Sequence, residues 1–513
     1  MQSRGSRNNR RAIGPSNRRT LNLSMTLPKF LSRVANATVL TAISLAVASP
    51  SKAASSAPAH RPNVLVILTD EQFADALSCR QGDRYLRTPN MDSLAARGVS
   101  FTRAYVANPL CVPSRTAMLT GRYPHETGVQ TNEAGQFDPA KFPTMGTYFQ
   151  RAGYDTGYVG KWHLAIPAED SAVSGFNYAA NLIRNTQGGD AGTPPAVAEF
   201  LNRKRDRPFL LVASFLNPHN ICEWARGQKL PDGDIGPPPP PENCPPAPVN
   251  RAPQNGEPEA VDFARRSYVS SPQFPVAGYD EAKWRQYRWA YYRMIELTDA
   301  LLGQVLASLA ASGHADDTLI VFTSDHGDCQ GAHGWNQKQV LYEESLRVPF
   351  MVVPPHGTRP GTSDRLVHTG VDLVPTLLDY AGIAKPRALP GFSQRSPVEG
   401  ANEPDPRRFV VVSNHLVQGV PLLGITMKPA GRGLIGVRYK YCVYDQGKNR
   451  ESLVDLQNDP GETRNLAGEP ASAEVLNQHR TMLMDWSREM HDTAFPYVAP
   501  GAGSGTKTPL TKS

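Results

Sequence analysis

Among its first 53 positions the 513-residue chain has no Asp or Glu, although nine Lys or Arg fall there: Arg4, Arg7, Arg10, Arg11, Arg18, Arg19, Lys29, Arg33 and Lys52. Removing these nine from the formal net charge of +7 leaves −2 for the remainder. The basic balance is thus a property of the leading segment, and a nucleic-acid partner, which needs a basic patch on the folded part, loses its support. A long hydrophobic run is also missing there. The most apolar stretch of the segment, Val34 to Ala48, is too short to span a bilayer, which argues against a stable membrane anchor. No internal repeat is visible, which excludes a solenoid.

What the leading segment does contain is a basic region ending at Arg33, the apolar stretch, and small residues at Ser51-Lys52-Ala53. That order predicts an export signal over residues 1–53, with Met25 an alternative start, and a periplasmic or secreted destination. Arg18-Arg19-Thr20-Leu21 faintly resembles a twin-arginine signal. Export places the six cysteines in an oxidising compartment, where Cys222 and Cys244, flanking a Pro-rich loop, are candidates to pair. Cys79, Cys329 and Cys442 have no partner visible in the sequence.

Apolar runs of strand length each stop at a polar residue: Val64 to Leu68 before Asp70, Leu210 to Phe215 before His219, and Leu319 to Phe322 before Asp325. Helical patterns lie between them, at Met91 to Arg97, Met145 to Ala152, Ala282 to Ser312 and Leu373 to Tyr380. This alternation predicts an α/β fold, a large mostly parallel sheet sandwiched by helices, with ligands bound at the carboxyl ends of the strands. Such a length suits one large domain, over 54–403, and a smaller one. Periodicity fails from 222 to 275, where Pro237 to Pro241 is unbroken, and this predicts an extended surface insertion. Short strands at Phe409 to Val412 and Arg438 to Tyr444, then a helix near Val475 to Met490, predict a small α+β C-terminal domain over 404–492. The remainder, 493–513, rich in Gly, Ser and Thr beyond Pro500, reads as a disordered tail.

The sharpest motif is Cys111-Val112-Pro113-Ser114-Arg115, continuing through Leu119-Thr120-Gly121-Arg122. Pro113 suits the first turn of a helix, which would put Cys111 at a helix N-terminus, a place that favours anions. Asp70-Glu71 and Asp325-His326 each end an apolar strand, so four ligand-type side chains from distant sequence meet one sheet edge, and carboxylates suit a hard divalent cation.

The cysteine string resembles the signature of the sulfatase family. In that family the cysteine is oxidised to formylglycine by a maturation enzyme that reads the Cys-x-Pro-x-Arg stretch. Gly160-Lys161-Trp162-His163 is similar to the family's Gly-Lys-x-His segment, Asn217-Pro218-His219 to its histidine segment, and His333 to Lys338 to the stretch with its second lysine. Tyr439-Lys440-Tyr441, Leu453 to Leu456, Asp459-Pro460, Glu462 and Asn465-Leu466 resemble its C-terminal domain. The resemblance runs from about Pro62 to Met490.

It implies hydrolysis of a sulfate ester, from a sulfated glycan in keeping with export, by a calcium enzyme, with magnesium the alternative ion. Cys111, as hydrated formylglycine, would be the nucleophile and, with Asp70, Glu71, Asp325 and His326, a metal ligand. Arg115, Lys161 and Lys338 would neutralise sulfate charge. His163 would assist collapse of the covalent sulfate, and His219 with Lys338 would serve the leaving oxygen. The family more often has Asp at position 71, which leaves open whether Glu71 ligates directly, through water, or not at all. Asn108, His125 and His333 lie near these motifs as supporting or structural residues; His314, His368 and His415 read as surface or packing residues. Two rivals remain at this point: a phosphodiesterase or phosphonate monoester hydrolase of the same superfamily, and a non-catalytic glycan-binding protein on the same fold.

Overall fold

The computed structural model describes residues 61–133, 135, 137–184, 189–401, 403–493 and 495. The expected export signal and the tail beyond Pro500 lie outside them. Eight strands form one sheet: β1 (Asn63–Asp70), β2 (Val99–Tyr105), β3 (Asp155–Lys161), β4 (Tyr178–Ile183), β5 (Phe209–Pro218), β6 (Thr318–Ser324), β7 (Phe350–Val353) and β8 (Gly361–His368). Their order is β4-β3-β5-β1-β6-β7-β2-β8. All pairings are parallel except those of β7, which is antiparallel to both neighbours.

Strand β1 shows why its sequence is a continuous apolar run. Val64, Val66 and Leu68 face one core with Met118, Phe149 and Leu377, while Leu65 and Ile67 face another with Leu94, Phe200 and Ile295. Both faces are covered, so neither set can be polar. Helices Cys111–Thr120, Met145–Arg151 and Thr369–Tyr380 supply the first cover; Pro89–Ala95, Thr193–Leu201 and Glu281–Ala311 supply the second. Helix Glu281–Ala311 is long and apolar enough, by length and composition, to cross a membrane. Its buried face, with Tyr287, Tyr291, Ile295 and Leu302, belongs to the core under the sheet.

A second sheet has order β12-β11-β10-β9, built from β9 (Phe409–His415), β10 (Ala430–Gly436), β11 (Tyr439–Tyr444) and β12 (Glu451–Asp455). It is antiparallel throughout. Val411, Leu434, Tyr441 and Val443 meet helix Ala473–Glu489 through Leu476, Leu483 and Trp486; Val410, Val412, Ile435 and Cys442 meet Tyr105, Leu346 and Leu366. The alternation is that of a two-faced strand whose faces are both buried.

Two expectations are corrected. The segment 222–275 is not a surface insertion throughout: it carries helix Glu259–Val269, whose Val261, Ala264 and Tyr268 join a core cluster, with Tyr268 stacked on Phe274 at 3.8 Å. Its apolar positions were hidden among prolines and charges. Nor do Cys222 and Cys244 pair, since both are free. Cys222 Sγ points to Glu71 Oε2 at 3.9 Å, and Cys244 Sγ to the Pro239 carbonyl at 3.6 Å.

Candidate active site

Four adjacent strands, β3, β5, β1 and β6, deliver their ends to one place. Asp70 is the last residue of β1 and Lys161 the last of β3; His219 follows β5 directly, and Asp325-His326 follow β6. Register keeps these ends level, with Asp70 opposite Pro218 and Thr69 opposite Ser324. At the β3–β5 contact Gly160 has φ +94°, and a Cβ there would stand 1.9 Å from the Ser214 carbonyl oxygen. Only glycine lets the two backbones approach closely enough to place Lys161.

Cys111 is the first residue of helix Cys111–Thr120, after the extended Leu110, as the early proline suggested. Its Sγ lies 3.2 Å from His326 Nε2, 3.8 Å from Asp70 Oδ1 and 3.4 Å from Lys338 Nζ. One turn on, Arg115 organises the acids. Its Nε donates to Asp325 Oδ2 at 2.7 Å and its Nη2 to Asp70 Oδ2 at 3.2 Å, while Nη1 donates to the Lys161 carbonyl and Ser214 Oγ, both at 2.9 Å. Lys161 Nζ adds a second cation to Asp70 Oδ2 at 3.2 Å. Sequence reading missed Ser214, and a serine inside an apolar strand offers no signal of its partner.

The residues that face one another suit a cation. His326 Nδ1 lies 3.1 Å from the Gly327 carbonyl, which can only accept, so Nδ1 carries the proton and Nε2 presents a lone pair. That lone pair faces Asp70 Oδ1 and Asp325 Oδ1, each at 3.6 Å. Ligand atoms of Asp70, Cys111, Asp325 and His326 all lie within 4.8 Å of one another. Acceptors converging on acceptors in a buried place fit a hard divalent ion.

Glu71 is not drawn into that group. With φ +74° and a longer side chain than Asp, it sends its carboxylate to Lys338 Nζ at 3.0 Å and towards His219 Nε2 at 3.8 Å; only its backbone N–H reaches Asp325 Oδ1, at 3.2 Å. His163, just past β3 with φ +46°, makes no hydrogen bond through Nδ1 among the described residues.

Charge states follow from burial and these pairings. Burial opposes ionisation of Asp70, but the charges of Lys161, Arg115 and Lys338 outweigh it and hold the carboxyl well below its usual range. Asp325 is pushed up to about 6, by burial first and by Asp70, against Arg115. Burial and Asp70 raise the Cys111 thiol, yet the lowering influences, led by the Lys338 ammonium, bring it below its ordinary value. Burial, with Lys161 next, drives His163 down to about 3, and burial with Lys338 drives His219 well down, so both imidazoles are neutral bases.

The remaining expected residues are structural. His125 bonds the Met490 carbonyl at 3.1 Å and stacks on Tyr123. His333 stacks on Tyr342 at 3.7 Å. Asn108 reaches the Gln130 carbonyl at 3.4 Å and Ser413 Oγ at 3.5 Å. In the C-terminal motifs, Lys440 pairs with Glu343 at 3.1 Å and with Glu462, tying the second sheet to the segment after Lys338.

A cysteine at a helix N-terminus, ringed by acids, bases and ammonium groups at the sheet's carboxyl edge, suits hydrolysis of a charged ester. The family model described as Sulfatase matches residues 62–383, and that of the N-sulphoglucosamine sulphohydrolase C-terminal region matches 331–489. The chain belongs to the sulfatase family and is a sulfuric ester hydrolase. It is 29% identical over 457 residues, 84% of this chain and 90% of the relative, to a delta 4,5-hexuronate-2-O-sulfatase of Bacteroides thetaiotaomicron. A solved structure of a 2-O GAG sulfatase matches with a TM-score of 0.73 at 28% identity, over 84% of this chain and 93% of that one. A phosphonate monoester hydrolase of Agrobacterium radiobacter shares the fold, with a TM-score of 0.66 at 22% identity, over 84% and 96%.

Proposed function

We propose that the protein is an exported sulfatase that removes sulfate from a carbohydrate, with Cys111 matured to formylglycine and a divalent ion, calcium by family resemblance, held by Asp70, Asp325, His326 and residue 111. The observation that carries this reading is the convergence of those four side chains with Arg115, Lys161 and Lys338 in one buried cluster. The carbohydrate is supported by relatives named for hexuronate and GAG substrates, and export by the leading segment.

Formylglycine, when present, supplies a hydrated aldehyde as nucleophile, and the ion supplies Lewis acidity toward it and the sulfate oxygens. The chain's own residues do the rest. In this reading Lys161 and Lys338 neutralise the sulfuryl oxygens, and Arg115 fixes both carboxylates rather than meeting substrate, since four of its N–H contacts are already made. Lys338 and His219, both beside Glu71, serve the leaving oxygen: the Lys338 ammonium passes it a proton, and neutral His219 holds it by its ring N–H. His163, held neutral, accepts the proton released when sulfate departs.

The test is peptide mass spectrometry across residue 111 after expression in a host that matures sulfatases, followed by assay on aryl sulfate and aryl phosphonate. A loss of about 18 Da against cysteine and a preference for sulfate support the proposal. An unmodified, inert Cys111 favours a glycan-binding role, and phosphonate preference favours the phosphonate hydrolase reading.

A further inference from the structure

Within four residues of His219 in sequence, three buried acceptor oxygens receive no hydrogen bond from any described residue: Asn217 Oδ1, Asn220 Oδ1 and Glu223 Oε2. Their residues are only 2%, 1% and 7% exposed. An acceptor shut away without a donor costs about 1–3 kcal/mol, and three in seven residues beside a catalytic histidine call for a ligand that donates.

The orientation of both amides is dictated. Asn217 Nδ2 reaches Asp190 Oδ2 at 3.1 Å and Asp232 Oδ2 at 2.8 Å, and Asn220 Nδ2 reaches the same Asp232 oxygen at 3.0 Å. A carboxylate accepts, so the NH2 ends face it and the carbonyl oxygens face away. Asp190 is itself fixed: its two oxygens accept the Leu216 N–H at 2.6 Å and the Asn217 N–H at 2.8 Å, and its own N–H donates to Asp232. Asp232 comes from the proline-rich segment, which joins that segment to the end of β5.

Glu223 is placed by a helical turn. Cys222 N–H donates to the His219 carbonyl at 3.0 Å and Trp224 N–H to that of Asn220 at 3.1 Å, opening helix Ile221–Ala225, and the charges of Lys338 and Lys161 are felt at the Glu223 carboxyl. Arg226 takes Oε1 at 3.3 Å and leaves Oε2 open.

We propose that Asn217, Asn220 and Glu223 form a hydroxyl-recognition patch beside the leaving group, with Asp190 and Asp232 as the positioning residues that aim its two amides. The proposal rests on the reading that His219 serves the leaving oxygen. The ligand it fits is a neutral sugar ring whose hydroxyls, next to the sulfated oxygen, donate into the three acceptors. A sugar with a carboxylate at that position meets Glu223 and is rejected.

Matured enzyme is assayed on 4-nitrophenyl sulfate, whose leaving group has no hydroxyl to donate, and on a panel of glucose, galactose and N-acetylglucosamine sulfates. Asn220→Ala and Glu223→Gln are expected to lower kcat/KM for the best sugar sulfate about tenfold more than for the aryl sulfate, mainly through KM. Asp232→Ala should reproduce this by freeing both amides, and Asp232→Asn, which keeps an acceptor for them but turns its NH2 onto the Asp190 N–H, should recover part of it. If Asp232→Ala does not fold, the other variants decide the matter. Equal losses on both substrates, or no loss on either, overturn the patch. So does unaltered enzyme that cleaves the aryl sulfate but none of the panel, an outcome that leaves the proposed site standing; failure on every sulfate ester counts against the site itself.

Discussion

Lys338 Nζ lies 3.0 Å from Glu71 Oε2, so the carboxyl whose part in metal binding the sequence left open stands against an ammonium instead. Both groups are buried, so the pair is a fixed one, and breaking it strands a charge. Glu71→Gln is therefore expected to retain bound metal while lowering turnover at least tenfold, because Lys338 loses its anchor. Asp70→Asn and Asp325→Asn are expected to lose the metal, together with the rise in Tm on adding Ca2+. Metal content by elemental mass spectrometry checks this independently of activity, and loss of metal from Glu71→Gln would falsify the assignment.

Arg115 offers a second test because its role is geometric. Its guanidinium spans two carboxylates, a carbonyl and a hydroxyl at 2.7 to 3.2 Å. A lysine there keeps the charge but cannot reproduce the fork. Arg115→Lys should cost about 3–5 kcal/mol of stability, the price of unpairing a buried charge network, and more than a hundredfold in activity. Urea denaturation gives the first number directly; a loss below 1 kcal/mol would mean that the network is not needed for folding.

Much of this site was legible before any coordinates, and the reason lies in the sheet. Runs such as Val64 to Leu68 and Leu319 to Phe322 read as buried strands because both faces are covered, and the polar residues that end them, Asp70 and Asp325, then had to meet. Cys111 was placed at its helix start by Pro113. What stayed hidden depends on partners far away in sequence. Nothing local to Glu71 announces Lys338, 267 positions on. Asp190 and Asp232 sit in stretches without periodicity, and their value comes from the amides they hold, Asn217 between them and Asn220 at Asp232. The helix Glu259–Val269 was masked by surrounding prolines and by polar residues on its outer face.

Gly160 gives a prediction about precision rather than charge. A methyl group at that position would stand 1.9 Å from a backbone oxygen that cannot move without shifting β5, and φ is +94°. Gly160→Ala should therefore lower stability by at least about 2 kcal/mol. It should reduce kcat more than KM rises, since Lys161 is the next residue. Thermal melting and steady-state kinetics check the two parts, and a variant with native Tm would show that the strands yield more easily than their contact suggests.

His368 carries the pH prediction. It is fully buried at the end of β8, its Nε2 lies 3.0 Å from the Val411 carbonyl, and Tyr123 meets its ring edge-on. Burial, and then the charge of Arg407, lowers its pKa from 6.5 to about 3. An unfolded chain would take up a proton near pH 6.5 that the folded one refuses until about pH 3. Between those values the unfolded state binds more protons, so this residue's contribution is complete above pH 6.5 and is lost as pH falls. At pH 5 the loss is about 2 kcal/mol. His368→Gln removes the titration but also the packing, so the variant should be the less stable at pH 7.5. Its deficit should then shrink by about 2 kcal/mol on going to pH 5, measured by urea unfolding at both values. Parallel stability curves for the two proteins would mean that His368 takes up its proton in the folded state as readily as in the unfolded one.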